Sequence, residues 1–360
     1  MTILRICLVL IAIPFIANTH DDTFAAEGLT PAADGTFSIV LIPDTQAYRG
    51  ANTKSQRESA DKVTNPIFEA HASWIVDHVD DQNIVFVSHV GDIVDKNQHD
   101  QWAVARHCMD ILHDKDIPYG ISVGNHDMTG EGDSTLYQEY FPAKRFQDAD
   151  WYGGTFKGTG SDTRISGNNA NSFQLFTAGG IDFVFLHLEC NAPDDVLNWA
   201  NEVLRRHSDR QALITSHMGW GPKDKPKSAD DFFKAEKGRM TWSKIHGTRG
   251  NTPQQMWDKL YRYHPNLVAV FSGDQSRTQA IKASSTGEHG NVVHELLQDY
   301  GSGYLRLYRF TPNQDHVDVE AITLHSRTGE ICRGTDLVPD PNQHQFTFRF
   351  APVGQLIGSK

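Results

Sequence analysis

Ile84-Val85-Phe86-Val87-Ser88-His89-Val90-Gly91-Asp92-Ile93-Val94-Asp95 is a short, nearly continuous apolar run that ends on a glycine and an acid. Apolar residues at successive positions suit a strand covered on both faces, as in a parallel sheet between layers. Runs of the same kind occur at 37–42, 181–188, 211–215 and 267–272. Helical spacing fills the gaps: Ile67, His71, Trp74, Ile75 and Val79 share one face, and Trp102, Ala105, Met109 and Leu112 another. A third helix is predicted with Thr252 as N-cap, Pro253 at its first position and Met256, Trp257 and Leu260 buried. Strands alternating with helices predict an α/β layered domain. From Asn291 the pattern turns to strands at 292–297, 304–310, 317–324 and 345–350, expected to form a second sheet packed on the first with the last strand at an edge. The Gly-, Asp- and Asn-rich stretch 128–171 reads as a long loop. Residues 219–251 carry eight basic against four acidic residues and read as a basic insertion or lid.

Composition narrows the function. With 33 Lys+Arg against 45 Asp+Glu the net charge is −12, which offers no general positive field for nucleic acid. At 39% hydrophobic and 22% charged the chain is too apolar to be disordered. Met1–Arg5 is a short basic start, 6–16 is almost wholly apolar, and small residues follow at Ala25 and Ala26. That order reads as a signal peptide over 1–26, followed by a linker over 27–36, and predicts a secreted or periplasmic protein with no membrane span in the mature chain. Cys108, Cys190 and Cys332 would remain, an odd number, with Cys190–Cys332 one conceivable pair.

The chemistry sits where the apolar runs stop. In a parallel sheet, ligands collect outside the carboxyl ends of the strands. Those ends read Pro43-Asp44-Thr45-Gln46, Gly91-Asp92-x-x-Asp95, Gly124-Asn125-His126-Asp127, Ser216-His217 and Gly273-Asp274-Gln275-Ser276. Each Asp alone could merely cap a following helix. Converging acids and amides would repel or stay unsatisfied in a cleft unless a cation joined them. Oxygen mixed with imidazole points to Mn, Fe or Zn, and the oxygen-only part also admits Mg or Ca.

Taken in order, D-x-Q, G-D-x-x-D, G-N-H-D and a late His resemble the calcineurin-like metallophosphoesterases, over about 37 to 310. The resemblance implies a four-layer α/β/β/α sandwich of two mixed sheets flanked by helices. It sets the domain at 37–328, with 329–360 as a C-terminal extension. It also implies an exported hydrolase of phosphomonoesters or phosphodiesters, in which hydroxide made available by two divalent metals attacks phosphorus in line. By the family's roles Asp44 binds the first metal, Asp92 bridges both, and Asn125 and His217 bind the second. His126, held by Asp127, serves as general acid or phosphoryl donor, and Asp95 steadies the loop carrying Asp92. Two departures stand out. Gln46 replaces a His and can ligate through its amide oxygen. Gly273-Asp274-Gln275-Ser276 replaces G-H-x-H, making Asp274 a credible ligand and Ser276 a poor one. Tyr48, Trp220 and Arg277 follow motif residues and are candidates to line the substrate cleft. The competing reading is a binding protein that keeps the fold without turnover; the departures favour it, and the intact G-N-H-D disfavours it.

Overall fold

A computed structural model describes residues 28–158, 161–220, 245–276 and 278–354. The expected signal peptide, most of the basic insertion and Arg277 lie outside them.

Among the described residues thirteen strands form two mixed sheets. The first runs β13-β12-β11-β1-β2-β3, where β1 is Phe37–Ile42, β2 Ile84–His89, β3 Tyr119–Ile121, β11 Tyr304–Pro312, β12 Val317–His325 and β13 Phe346–Phe350. The second runs β4-β5-β6-β7-β8-β10-β9, where β4 is Tyr152–Thr155, β5 Ser172–Ala178, β6 Ile181–Leu188, β7 Gln211–Ser216, β8 Leu267–Ser272, β9 Ala280–Thr286 and β10 Val292–Gln298. Phe37, Ile39 and Leu41 of β1 face the second sheet, meeting Phe183 and Phe185 of β6 and Phe271 of β8 in the central core. Val40 and Ile42 point the other way, onto α1 (Pro66–Asp77) and α2 (His99–His113). Beyond the second sheet, α4 (Asp194–Arg206) and α5 (Pro253–Lys259) cover Val184, Leu186, Ala212 and Ile214. The layers are therefore α/β/β/α, and the unbroken apolar strands follow from burial on both faces.

The third helix begins as its sequence dictates. The Thr252 hydroxyl accepts from the Gln255 N–H, and the Gln255 side-chain oxygen accepts from the Thr252 N–H, with Pro253 at the first position.

The C-terminal strands depart from expectation. They do not make a sheet of their own: β10 runs parallel beside β8, and β11 runs antiparallel beside β1. Each original parallel set still had an open edge, and these strands pair it. Segment 329–360 supplies β13, whose Phe346, Phe348 and Phe350 enter the central core. The 128–171 stretch contains α3 (Thr135–Tyr140) and β4, because Tyr137, Phe141 and Phe146 bury against α2 and β3. No disulfide joins Cys190 to Cys332; Cys108, Cys190 and Cys332 are all free, with Cys190 buried. Among the described residues no helix is long and apolar enough to cross a membrane.

Candidate metal centre

Both sheets send the carboxyl ends of parallel strands to one end of the sandwich. β1, β2 and β3 of the first sheet lead into Asp44, Asp92 and Asn125-His126; β7, β8 and β10 of the second lead into His217, Asp274 and Asp299. Ligand atoms of Asp44, Asp92 and His217 all lie within 4.8 Å of one another, and all three residues are buried.

His217 is held from behind. Its Nδ1 lies 3.0 Å from the Val90 carbonyl, so Nδ1–H donates there and Nε2 turns inward. Nε2 stands 3.2 Å from Asp92 Oδ1 and 3.8 Å from Asp274 Oδ1 but finds no aligned hydrogen bond. Asp92 Oδ1 accepts from the His126 backbone N–H at 2.9 Å, and Oδ2 from the Gln46 amide at 2.8 Å. Asp44 Oδ2 accepts weakly from the Asp274 N–H at 3.3 Å, while Asp44 Oδ1 and Asn125 Oδ1 are buried without partners. Two motif glycines exist for clearance. A Cβ on Gly124 would fall 2.2 Å from Asp92 Oδ1, and one on Gly273 would fall 2.2 Å from Asp44 Oδ1.

The electrostatics are lopsided. Burial, followed by the neighbouring carboxylates, pushes Asp44 well above the usual carboxylate range and Asp274 up to about 7. Burial alone would depress His217, but Asp92 and Asp44 overcome it and raise the imidazole well above its ordinary value. Asp92 is lowered against the pull of burial, chiefly by His217. Unpartnered oxygens and an imidazole nitrogen facing one another among buried acids are a donor set that fits divalent cations.

Several expected roles change. Asp127 does not hold the His126 ring: its carboxylate accepts from the backbone N–H groups of Gly124 (2.8 Å) and Val94 (3.1 Å), tying two ligand loops together. The His126 ring instead has Nδ1 2.8 Å from the Asp95 carbonyl oxygen. Asp95 acts through that backbone oxygen, and its side chain pairs with Lys54. Tyr48 is 2% exposed and donates to the Ile93 carbonyl at 2.9 Å, so it packs under the Asp92 loop and cannot line a cleft. Gln46 directs its amide nitrogen at Asp92, supporting that carboxylate rather than offering its own oxygen. Trp220 is buried at the edge of the described residues, and Ser276 is exposed.

Asp299 is the residue that sequence reasoning passes over. It is 2% exposed, and burial raises its carboxyl to about 6. Its signal lay in a strand followed by an acid, the pattern that marked Asp44, Asp92 and Asp274, but β10 was expected in a different sheet.

Residues 37–276 match the family model for the calcineurin-like phosphoesterases, and the chain belongs to that family. The class that this fold and this family define is that of metal-dependent phosphoesterases. The chain is 28% identical over 321 residues to the uncharacterized protein YvnB of Bacillus subtilis (strain 168), a match covering 86% of this chain and 21% of that protein. It therefore spans about a fifth of that relative's length. Among solved structures it is similar to a 5'-nucleotidase precursor from Thermus thermophilus, at 14% identity and a TM-score of 0.44 over 89% of this chain and 55% of the other. It is also similar to the Haemophilus influenzae NAD nucleotidase, at 11% identity and a TM-score of 0.46 over 82% and 56%.

Proposed function

We propose that this protein is an exported hydrolase of small phosphoesters, mono- or diester, working at a pair of divalent cations. The observation that carries the reading is the convergence of Asp44, Asp92 and His217, with unpartnered Asp44 Oδ1, His217 Nε2 and Asn125 Oδ1. Divalent ions bound there would supply Lewis acidity toward a phosphoryl oxygen and make an attacking water acidic near neutral pH. Asp92 would serve both ions, Asp44 the first, and Asn125, His217 and Asp274 the second.

The remaining residues position and move protons. His126 donates Nδ1–H to the Asp95 carbonyl, which fixes the ring's orientation; Nε2 would then donate to the phosphoryl or leaving oxygen from the imidazolium, the form with a proton on both nitrogens. Asp127 locks the Asp92 and Asn125 loops in register, so that the ligand atoms are set before substrate arrives. The basic residues of 219–251 would draw an anion toward an otherwise acidic protein. Export rests on the basic start and the apolar 6–16 stretch, and mass analysis of secreted material should find the chain beginning after Ala26.

The test is hydrolysis of aryl phosphate mono- and diesters by metal-stripped protein resupplied with Mn, Fe, Zn, Mg or Ca. Turnover restored by at least one ion and lost again to chelator is expected. No turnover with any ion, in protein that binds the ions, would favour a binding protein instead.

A further inference from the structure

We infer that His89 is a positioning residue for the metal centre: its imidazole clamps the loop carrying Asp44 to the loop carrying Asp92 and so sets the spacing of those two side chains. The inference rests on the metal-centre reading and adds to it a residue that is itself no ligand.

His89 closes β2 and is fully buried, its ring edge-on to Phe68 with 5.5 Å between ring centres. The Gly91 N–H donates to Nδ1 at 3.1 Å, so Nδ1 is the acceptor and the proton sits on Nε2. Nε2 lies 3.1 Å from Thr45 Oγ1 and donates there. The Thr45 hydroxyl donates onward to the Ile93 carbonyl at 3.0 Å. Each proton in the chain thus has one direction, and this tautomer alone satisfies all three bonds. The backbone of Thr45 is held as well. Its N–H donates to the Asp92 carbonyl at 3.1 Å, and its carbonyl accepts from the Asn65 amide at 2.7 Å.

The partners show what the ring is for. Thr45 follows Asp44, while Gly91 and Ile93 flank Asp92, so every bond in the chain lands one residue from a candidate ligand. Asp92 has φ +50°, in the left-handed region that a residue with a Cβ seldom enters, and holding both its neighbours keeps it there. A histidine that only filled the core would need none of these bonds. His71 on α1 is equally buried, and neither of its ring nitrogens has a hydrogen-bond partner. Asp44 Oδ1, also buried, has no hydrogen bond of its own to fix it, so its place depends on the loop behind it. A shift of about 1 Å in either loop is enough to misplace a catalytic group.

The test uses the full chain, stripped of metal and titrated with Mn2+ by calorimetry. Aryl phosphate kcat and KM at saturating Mn2+ and melting of the metal-free protein are measured alongside. His89→Asn keeps an acceptor for Gly91 and removes the donor to Thr45. Thr45→Val cuts the same bond from its other end, and Thr45→Ser restores the hydroxyl. His89→Asn and Thr45→Val should each weaken Mn2+ binding by at least about tenfold. Their kcat should fall by a similar factor with KM within about twofold, whereas Thr45→Ser should stay within about twofold of wild type throughout. Combining His89→Asn with Thr45→Val should cost no more than about twofold beyond either change alone, because the link is already cut. Should His89→Asn fail to fold, Thr45→Val against Thr45→Ser decides the matter. Wild-type Mn2+ affinity and kcat in folded His89→Asn and Thr45→Val, with only the melting temperature lowered, would overturn the inference and leave the metal centre standing. Wild type that binds no Mn2+ would sink the metal centre and the inference together.

Discussion

Two of the molecule's buried polar clusters differ in how many acids they bring together. At the candidate metal centre Asp44 and Asp92 converge with His217, whose Nε2 also stands 3.8 Å from Asp274 Oδ1, and Asp44 Oδ1 and His217 Nε2 lack hydrogen-bond partners. The second cluster follows the end of β6, where Glu189 is fully buried 3.6 Å from His246 Nε2. Asn171 holds Glu189 twice, donating to the carboxyl Oε1 at 3.0 Å and accepting from the backbone N–H at 2.9 Å. Burial raises Glu189 to about 7 and lowers His246 to about 4, so both can settle as neutral groups. One buried carboxyl can be quieted by a proton and an amide; several converging on one imidazole suit a cation instead. Numbers of converging charges, not burial itself, separate a metal site from a polar corner of the core.

Substitutions can break or sharpen that contrast. The largest effect is expected for Asp92→Ala, which touches both ligand groups: metal content should fall, and turnover should drop by about a thousandfold or more. Purified, folded Asp92→Ala with wild-type turnover would end the assignment. His126→Ala should keep its metal yet lose about 10²- to 10⁴-fold in kcat, since it removes a proton donor and no ligand; loss of metal instead would make His126 part of the ion cage.

Glu189→Gln tests the other cluster through stability. A carboxyl raised from its usual value to about 7 in the folded state costs nothing below pH 4.5, and the protein loses stability as pH rises through about 7. The penalty is on the order of 3 kcal/mol. The Gln variant keeps the acceptor for Asn171, so its unfolding temperature should gain on wild type between pH 5 and pH 8, with turnover within twofold. A constant difference across that range would show that Glu189 does not titrate in the fold. Tyr48→Phe is the smallest change: losing the bond to the Ile93 carbonyl should cost about 1 kcal/mol and leave KM unmoved, whereas a raised KM would return Tyr48 to the substrate cleft.

The contrast also shows what a sequence can reveal. Gly91-Asp92 and Gly124-Asn125 stand out in the sequence because candidate ligand and strand end are covalent neighbours and clearance leaves a glycine beside them. The β1 and β2 strands were legible because burial on both faces writes an unbroken apolar run. Thr252 and Pro253 announced their helix for the same local reason. Asp299 depends on β10 choosing the open edge beside β8, a pairing across distant chain that no local pattern encodes. The duties of Asp127 and Tyr48 turn on the direction of a side chain, and the same letters would fit either role.

Anomalous diffraction from crystals grown with Mn2+ tests the central claim most directly. The expected result is a peak within about 2.0–2.3 Å of an Asp92 oxygen, a second one nearby, and Asp44, Asn125 or His217 donor atoms completing each. Well-ordered crystals with Mn2+ bound elsewhere, or with those side chains hydrogen-bonded to one another and no peak among them, would contradict it.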